Sequence, residues 1–150
     1  VFHKELPNRP EELPQLADYH DVSADINLRA RSYLHANCAH CHRIWGGGNA
    51  DFELQASIPI SQTKAVNTRP GQGMFNLTDP KIVVPGAPGR SMILERMKIT
   101  GLGRMPHIAS KVVDTEAVNL VKNWIAGLDA EGALEKPGAI HPRLPKPKDK

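Results

Sequence analysis

The two cysteines of this chain stand three residues apart, in Cys38-Ala39-His40-Cys41-His42, with a histidine directly after the second. No other feature limits the fold as much, because it places two thiols and an imidazole at i, i+3 and i+4. On a helical turn those positions project from one face and can meet one edge of a flat ligand. Two thiols can then add across the two vinyl groups of a haem while the adjacent imidazole reaches the iron, and Cys-x-x-Cys-His is the attachment signature for that chemistry. Other uses of the residues ask for something different. A structural zinc site takes four ligands, usually with a second Cys pair, and there is no third cysteine. A thioredoxin-like dithiol opens a helix, where the dipole lowers the thiolate pKa; this motif closes a helical pattern. A disulfide between residues three apart on a helix would be strained. The expectation is one covalently attached haem c, held by Cys38 and Cys41 with His42 on the iron; a disulfide or a free dithiol is the alternative.

Length and composition agree with a small cofactor-centred domain. The chain has 150 residues, enough for one core. It has only three Phe, two Tyr and two Trp, so a large apolar group at the centre would help it close a core. Thirteen Pro and twelve Gly predict much irregular backbone. The formal net charge is +3, most of which two haem propionates would cancel. There is no basic stripe interleaved with aromatics, so no nucleic-acid partner is expected. No apolar run approaches the ~20 residues of a spanning helix. The start at Val1 fits a processed export product or a domain of a longer protein.

Along the chain, residues 1–22 carry three Pro and no period, and read as an extended arm or linker. Ser23 is the expected N-cap of a first helix, with Asp25 in its first turn. Ile26, Ala30, Tyr33 and Leu34 make its apolar face, and the helix runs into the cysteine motif. Gly46-Gly47-Gly48 reads as a stop. Phe52, Leu54, Ala56, Ile58 and Ile60 alternate with mostly polar residues, which predicts a strand or extended segment over 51–60. Ile82, Val83 and Val84 suggest a second short strand that could pair with it. Ser91 is the expected cap of a short helix, MILERMKI. Asp114 is the expected cap of the last helix, with Val113 and Val118 as a hydrophobic staple. Ala117, Val121, Trp124, Ile125 and Leu128 form its apolar stripe. Residues 23–130 then make the domain, and 131–150 a Pro/Lys-rich tail.

Iron built for electron transfer needs a sixth ligand. Met105 is the leading candidate, in the loop Gly101-Leu102-Gly103-Arg104-Met105-Pro106 just before the last helix. A thioether opposite histidine raises the reduction potential relative to bis-histidine ligation. Met92 and Met97 lie in an apolar helical segment and read as core; Met74 sits in an earlier loop. His107 is the rival imidazole, more plausibly solvent-facing or bonded to a propionate. His35 and His40 flank the attachment turn in surface or hydrogen-bonding roles. His3, His20 and His141 lie in the arms and are expected to be solvated.

With these residues in view, the sequence resembles a class I cytochrome c. The resemblance rests on the helix ending in Cys38-Ala39-His40-Cys41-His42, the Met105-Pro106 loop, and a closing helix with Trp124. It is closer still to the cytochrome domains of bacterial multidomain proteins, where YLHANCAHCH with a Gly-rich turn and NADFEL recurs, as does VVPGAPGRSMILERM with GRMP. Those domains are often attached to β-propeller dehydrogenases that oxidise sugars or alcohols. The likeness covers about residues 24–128 and departs at His107, where a second Pro is usual. It implies a mainly α fold with a small extended or two-stranded excursion over 51–84. It also implies first and last helices that cross, with Tyr33 near Trp124 or Ile125.

The expected function is single-electron carriage by a mono-haem c-type cytochrome, not an enzyme, with redox proteins or a fused dehydrogenase domain as partners. No Ser/His/Asp or paired-carboxylate arrangement suggests catalysis. The alternative is a five-coordinate haem acting as sensor or peroxidase, with Arg104 and His107 as distal donors. Because thioether attachment takes place outside the bacterial cytoplasmic membrane, a periplasmic or extracellular location is implied.

Overall fold

Asp25, rather than Ser23, starts the first helix. In a computed structural model, which describes residues 8–9 and 12–132, the Asp25 carboxylate accepts from the N–H groups of Asn27 and Leu28, at 3.0 and 3.1 Å. Ser23 instead donates its hydroxyl to Asp21 at 2.6 Å, in the turn before. An aspartate cap satisfies two orphan donors and complements the dipole, which a serine two residues earlier cannot do. Helix α1 then spans Ile26–Cys38, α2 spans Met92–Lys98 and α3 spans Thr115–Ala126, with short 3-10 turns at Ile60–Gln62 and Pro88–Arg90. The fold is mainly α, as expected.

The core forms where α3 packs against both α1 and α2. The expected stripe of α3 is buried in full: Ala117, Val121, Trp124, Ile125 and Leu128, joined by Leu120. Trp124 has no exposed surface, and its indole N–H reaches the Asn27 side-chain oxygen on the first turn of α1 at 2.8 Å. A buried indole keeps its one donor paired there. Asp114 caps α3 as expected, accepting from the Ala117 N–H at 2.9 Å. Tyr33 packs on this core, and its ring partner is Tyr19, at 5.0 Å edge-on.

Residues 12–22 run across the outer side of the α1–α3 junction. The Ala17 N–H donates to Ser32 on α1, the Tyr19 hydroxyl donates to Asp114 at the head of α3, and Arg29 donates to the Tyr19 carbonyl. Burial and the Asp114 carboxylate together push the Tyr19 phenol up to about 12. His20, expected to be solvated, sits 2.9 Å from Glu116 of α3. Of the expected C-terminal tail, residues 133–150 lie outside the described residues, as do His3 and His141.

Residues 51–60, expected as a strand or extended segment, form no strand, and 81–84 does not pair with them. Among the described residues there is no strand, only isolated parallel bridges between Val66 and Val83 and between Lys81 and Ser91. Residues 51–60 do alternate, with Leu54 buried, but their backbone groups go to α1 side chains and to loop carbonyls, the Glu53 N–H to Thr63 and the Leu54 N–H to His42. Arg31 donates to the carbonyls of Gln55 and Ile58, at 2.6 and 2.5 Å, and His35 Nδ1 accepts the Ala56 N–H at 3.0 Å. A segment whose groups are satisfied this way has none free for a ladder. Residues 81–84 pair instead with 65–68, where the Val83 N–H reaches the Ala65 carbonyl and the Asn67 N–H reaches the Val83 carbonyl. Ser91 holds the position before α2 without capping it by side chain. The Met92 and Ile93 N–H groups go to the carbonyls of Lys81 and Ile82, which frees the Ser91 hydroxyl to accept from Val84 at 2.9 Å.

Truncating Trp124 to Ala should cost about 3–5 kcal/mol, the usual loss for a fully buried large ring. Asn27→Ala should cost less, about 1–3 kcal/mol, because it leaves the buried indole donor unpaired. Urea unfolding of the two single variants checks both magnitudes and their order.

Candidate cofactor site

The cysteine motif follows the end of α1, which stops at Cys38. The Ala39 N–H closes the helix on the carbonyls of Leu34 and His35. One further turn follows, with the N–H groups of Cys41 and His42 both on the Cys38 carbonyl, at 3.1 and 2.9 Å. The i, i+3, i+4 spacing of the three side chains is therefore carried by helix-like hydrogen bonds. Both thiols are free and half-buried. Burial, and then the neighbouring Cys41, push the Cys38 thiol up to about 12. A reactive dithiol needs the opposite shift.

The His42 ring stacks on Phe52, with centroids 4.4 Å apart and planes 15° from parallel. Its carbonyl accepts the Leu54 N–H at 2.9 Å, so the 52–54 segment holds the residue from two sides. Burial lowers the pKa of the imidazole, and electrostatic interaction with His40, Arg96 and His107 lowers it further. Neutral imidazole is the form that binds a metal. Among the described side chains, only His42 Nδ1 and Arg31 Nη1 are buried without a hydrogen-bond partner.

The glycine run does more than stop a helix. The Gly48 N–H donates to the Cys41 carbonyl at 3.0 Å, folding the chain back over the motif. A Cβ at Gly48 would stand 2.8 Å from that carbonyl oxygen, and one at Gly46 would overlap it. Gly47 is freer, with the Cys41 sulfur 4.0 Å away as its nearest neighbour.

Met105 lines a cleft of about 280 Å³ together with Met97, with Tyr33, Ala36 and Asn37 of α1, and with His40 of the turn after it. His42 does not line this cleft. The Met105 loop is braced from within. Gly101 and Gly103 take positive φ, 88° and 87°. Arg104 spends its donors on Ser110, the Gly101 carbonyl and the His107 carbonyl, and the Ser110 hydroxyl donates to Pro106. Met92 and Met97 are buried, which matches their reading as core, and Met74 is 53 % exposed. His107 is exposed. His40 also borders a second cleft, of about 270 Å³, with His35, Ala39, Arg43 and Gln55.

Among the described residues, no three His, Cys, Asp or Glu side chains gather to hold a metal ion. The donor types of a cofactor that brings its own metal are present, two free thiols and an imidazole with an unpartnered nitrogen on one turn and a thioether in a cleft, but none of Cys38, Cys41 and His42 lines the Met105 cleft. The roles of Phe52, the glycine run and Arg96 escaped the sequence. Phe52 lay inside a strand-like alternation, the glycines looked like simple breakers, and nothing marks Arg96 among helix arginines.

Gly48→Ala should destabilise the protein by about 1–3 kcal/mol, as overpacking against fixed backbone does. Gly47→Ala should stay within ±0.5 kcal/mol. Paired urea unfolding curves measure the contrast. In comparisons with known proteins, no family model, no curated protein and no solved structure matches this chain.

Proposed function

We propose that this chain is a mono-haem c-type cytochrome domain with a class I cytochrome c fold, which carries single electrons between redox partners. The observation that carries the reading is the turn after α1, where Cys38, Cys41 and His42 keep the attachment spacing and His42 retains a buried ring nitrogen with no partner. Haem c, when bound, supplies a reversible one-electron couple. Cys38 and Cys41 would hold it covalently, and His42 and Met105 would hold its iron. The residues around it have definite tasks. Phe52 and the Leu54 N–H fix the orientation of His42, and the glycine run fixes Cys41. Arg104 and Ser110 keep the Met105 loop in one shape.

Electron carriage needs an accessible cofactor edge and no substrate pocket. The partners would be redox proteins or a fused dehydrogenase domain, in the periplasm or outside the cell. Among the described residues no helix is long and apolar enough to cross a membrane. A five-coordinate sensor or peroxidase would use Arg104 and His107 as distal donors; Arg104 bonds within its own loop through Nε, Nη1 and Nη2, and His107 is exposed, which favours electron carriage.

The intact protein, expressed with haem-maturation machinery, should gain the mass of one haem. Cys38→Ala with Cys41→Ala should lose all haem that resists acid-acetone extraction, since no other thiol exists. An unchanged mass in the wild type, or resistant haem in the double variant, refutes the reading. Met105→Ala should remove the weak far-red sulfur-to-iron band of the ferric protein and open the iron to cyanide. Survival of that band in Met105→Ala would move the ligand to another methionine, and bis-imidazole magnetic resonance in the wild type would move it to His107.

A further inference from the structure

Arg96 of α2 grips the Met105 loop at two points and a second loop at two more. Its guanidinium donates through Nη1 to the Gly103 carbonyl at 2.8 Å, and its backbone carbonyl accepts the Met105 N–H at 3.0 Å. Nη2 donates to the Gln72 carbonyl at 2.6 Å, and the guanidinium lies over the Phe75 ring, 5.0 Å from its centroid. Phe75 is itself held at a positive φ of 48°. Its ring lies against Gly103, where an added Cβ would fall 2.5 Å from the ring edge. Arg96 and Phe75 thus lock two otherwise irregular loops to each other and to α2. Arg96 is half-buried, and among the described residues no carboxylate pairs with it.

We propose that Arg96 is a positioning residue that sets Met105 against the cofactor site and, by its uncompensated charge beside that loop, biases the iron toward its reduced form. The inference rests on the cytochrome reading above. A planar fork that bonds two carbonyls and stacks on a ring fixes geometry in a way one ammonium cannot. A cation near the iron disfavours the more positive ferric state by simple Coulomb repulsion. Clamp and charge are separable, because Lys keeps the charge and loses the fork, whereas Met loses both.

The test uses the haem-loaded full chain and three readouts: the far-red sulfur band, ferric cyanide affinity and reduction potential. Arg96→Met should weaken the band and raise cyanide affinity on the order of tenfold, one charged hydrogen bond's worth. Its potential should fall by a similar tenfold bias, about 59 mV for one electron. Arg96→Lys should recover most of the potential and little of the cyanide resistance. Leu120→Ala, a core truncation on α3, should lower stability and leave all three readouts near wild type. The proposal is overturned if both Arg96 variants match wild type, or if Leu120→Ala shifts the readouts as much as they do. Should Arg96→Met fail to load haem, Arg96→Lys decides alone: higher cyanide affinity with the potential held supports the clamp, and unchanged affinity ends it. A wild type without covalent haem defeats the underlying reading before any variant is made.

Discussion

The packing of Trp124 into the first turn of α1 is the contact on which the rest of the molecule depends. Among the described residues it is the largest fully buried side chain, and its single donor is spent on Asn27. That one meeting fixes α3 against α1, and α2 packs on α3 in turn. The arm over 12–22 ties both helices from outside, through Ser32 on one and Asp114 on the other. Since α1 is anchored at its start, the direction in which its end projects is set, and the cysteine motif is at that end. The site is therefore built by leverage: a packing contact at one end of a 13-residue helix orients the chemistry at the other.

Between the helices the chain has little regular structure, and side chains do what a sheet would otherwise do. Arg31 takes two carbonyls of the 55–58 segment, Arg96 joins the 72–75 and 103–105 segments, and Arg104 braces the 101–110 loop from inside. Buried backbone groups must find partners, and long loops in a small domain leave many of them without a ladder. Arginine suits this use because its fork reaches carbonyls that are not adjacent in sequence. This also explains why a sequence rich in Pro and Gly can still hold loops in one conformation.

What the sequence disclosed, and what it hid, follows from the same division. The α3 stripe, its Asp114 cap and the helical spacing of Cys38, Cys41 and His42 are local patterns, and local patterns are legible. The first cap was misplaced by two residues because Ser23 and Asp25 are both good caps, and only the turn at Asp21 decides between them. The 51–60 alternation was real, since Leu54 is buried, but a period of two states which side faces the core and not what the backbone bonds to. Ladder partners were replaced by Arg31 and His35, more than twenty residues away, and nothing local announces that. The glycine run was visible as a breaker, while its reason, close passage over the Cys41 carbonyl, is a tertiary fact. Arg96 left no trace because its four contacts come from two loops with no pattern of their own.

The three arginines that hold the loops share a further property: none has a carboxylate partner among the described residues, and their donors go almost entirely to carbonyl oxygens. Arg31 is the extreme case, nearly fully buried, with one nitrogen unpartnered and its pKa lowered to about 10 by desolvation, which still leaves it charged at neutral pH. Carbonyl dipoles can solvate such a cation, but they cannot neutralise it. At Arg31 the interior thus holds a positive charge that no carboxylate among the described residues offsets. A fold shaped by selection for stability alone would place an apolar residue at this position or an aspartate beside it, since the first removes the buried charge and the second pairs it. Retaining the charge makes physical sense when a bound group brings negative groups of its own, as the proposed haem would with its two propionates. On the proposed reading, the charge of Arg96 would likewise favour the less positive state of an iron centre, so its clamp and its bias on electron affinity would come from one choice of residue.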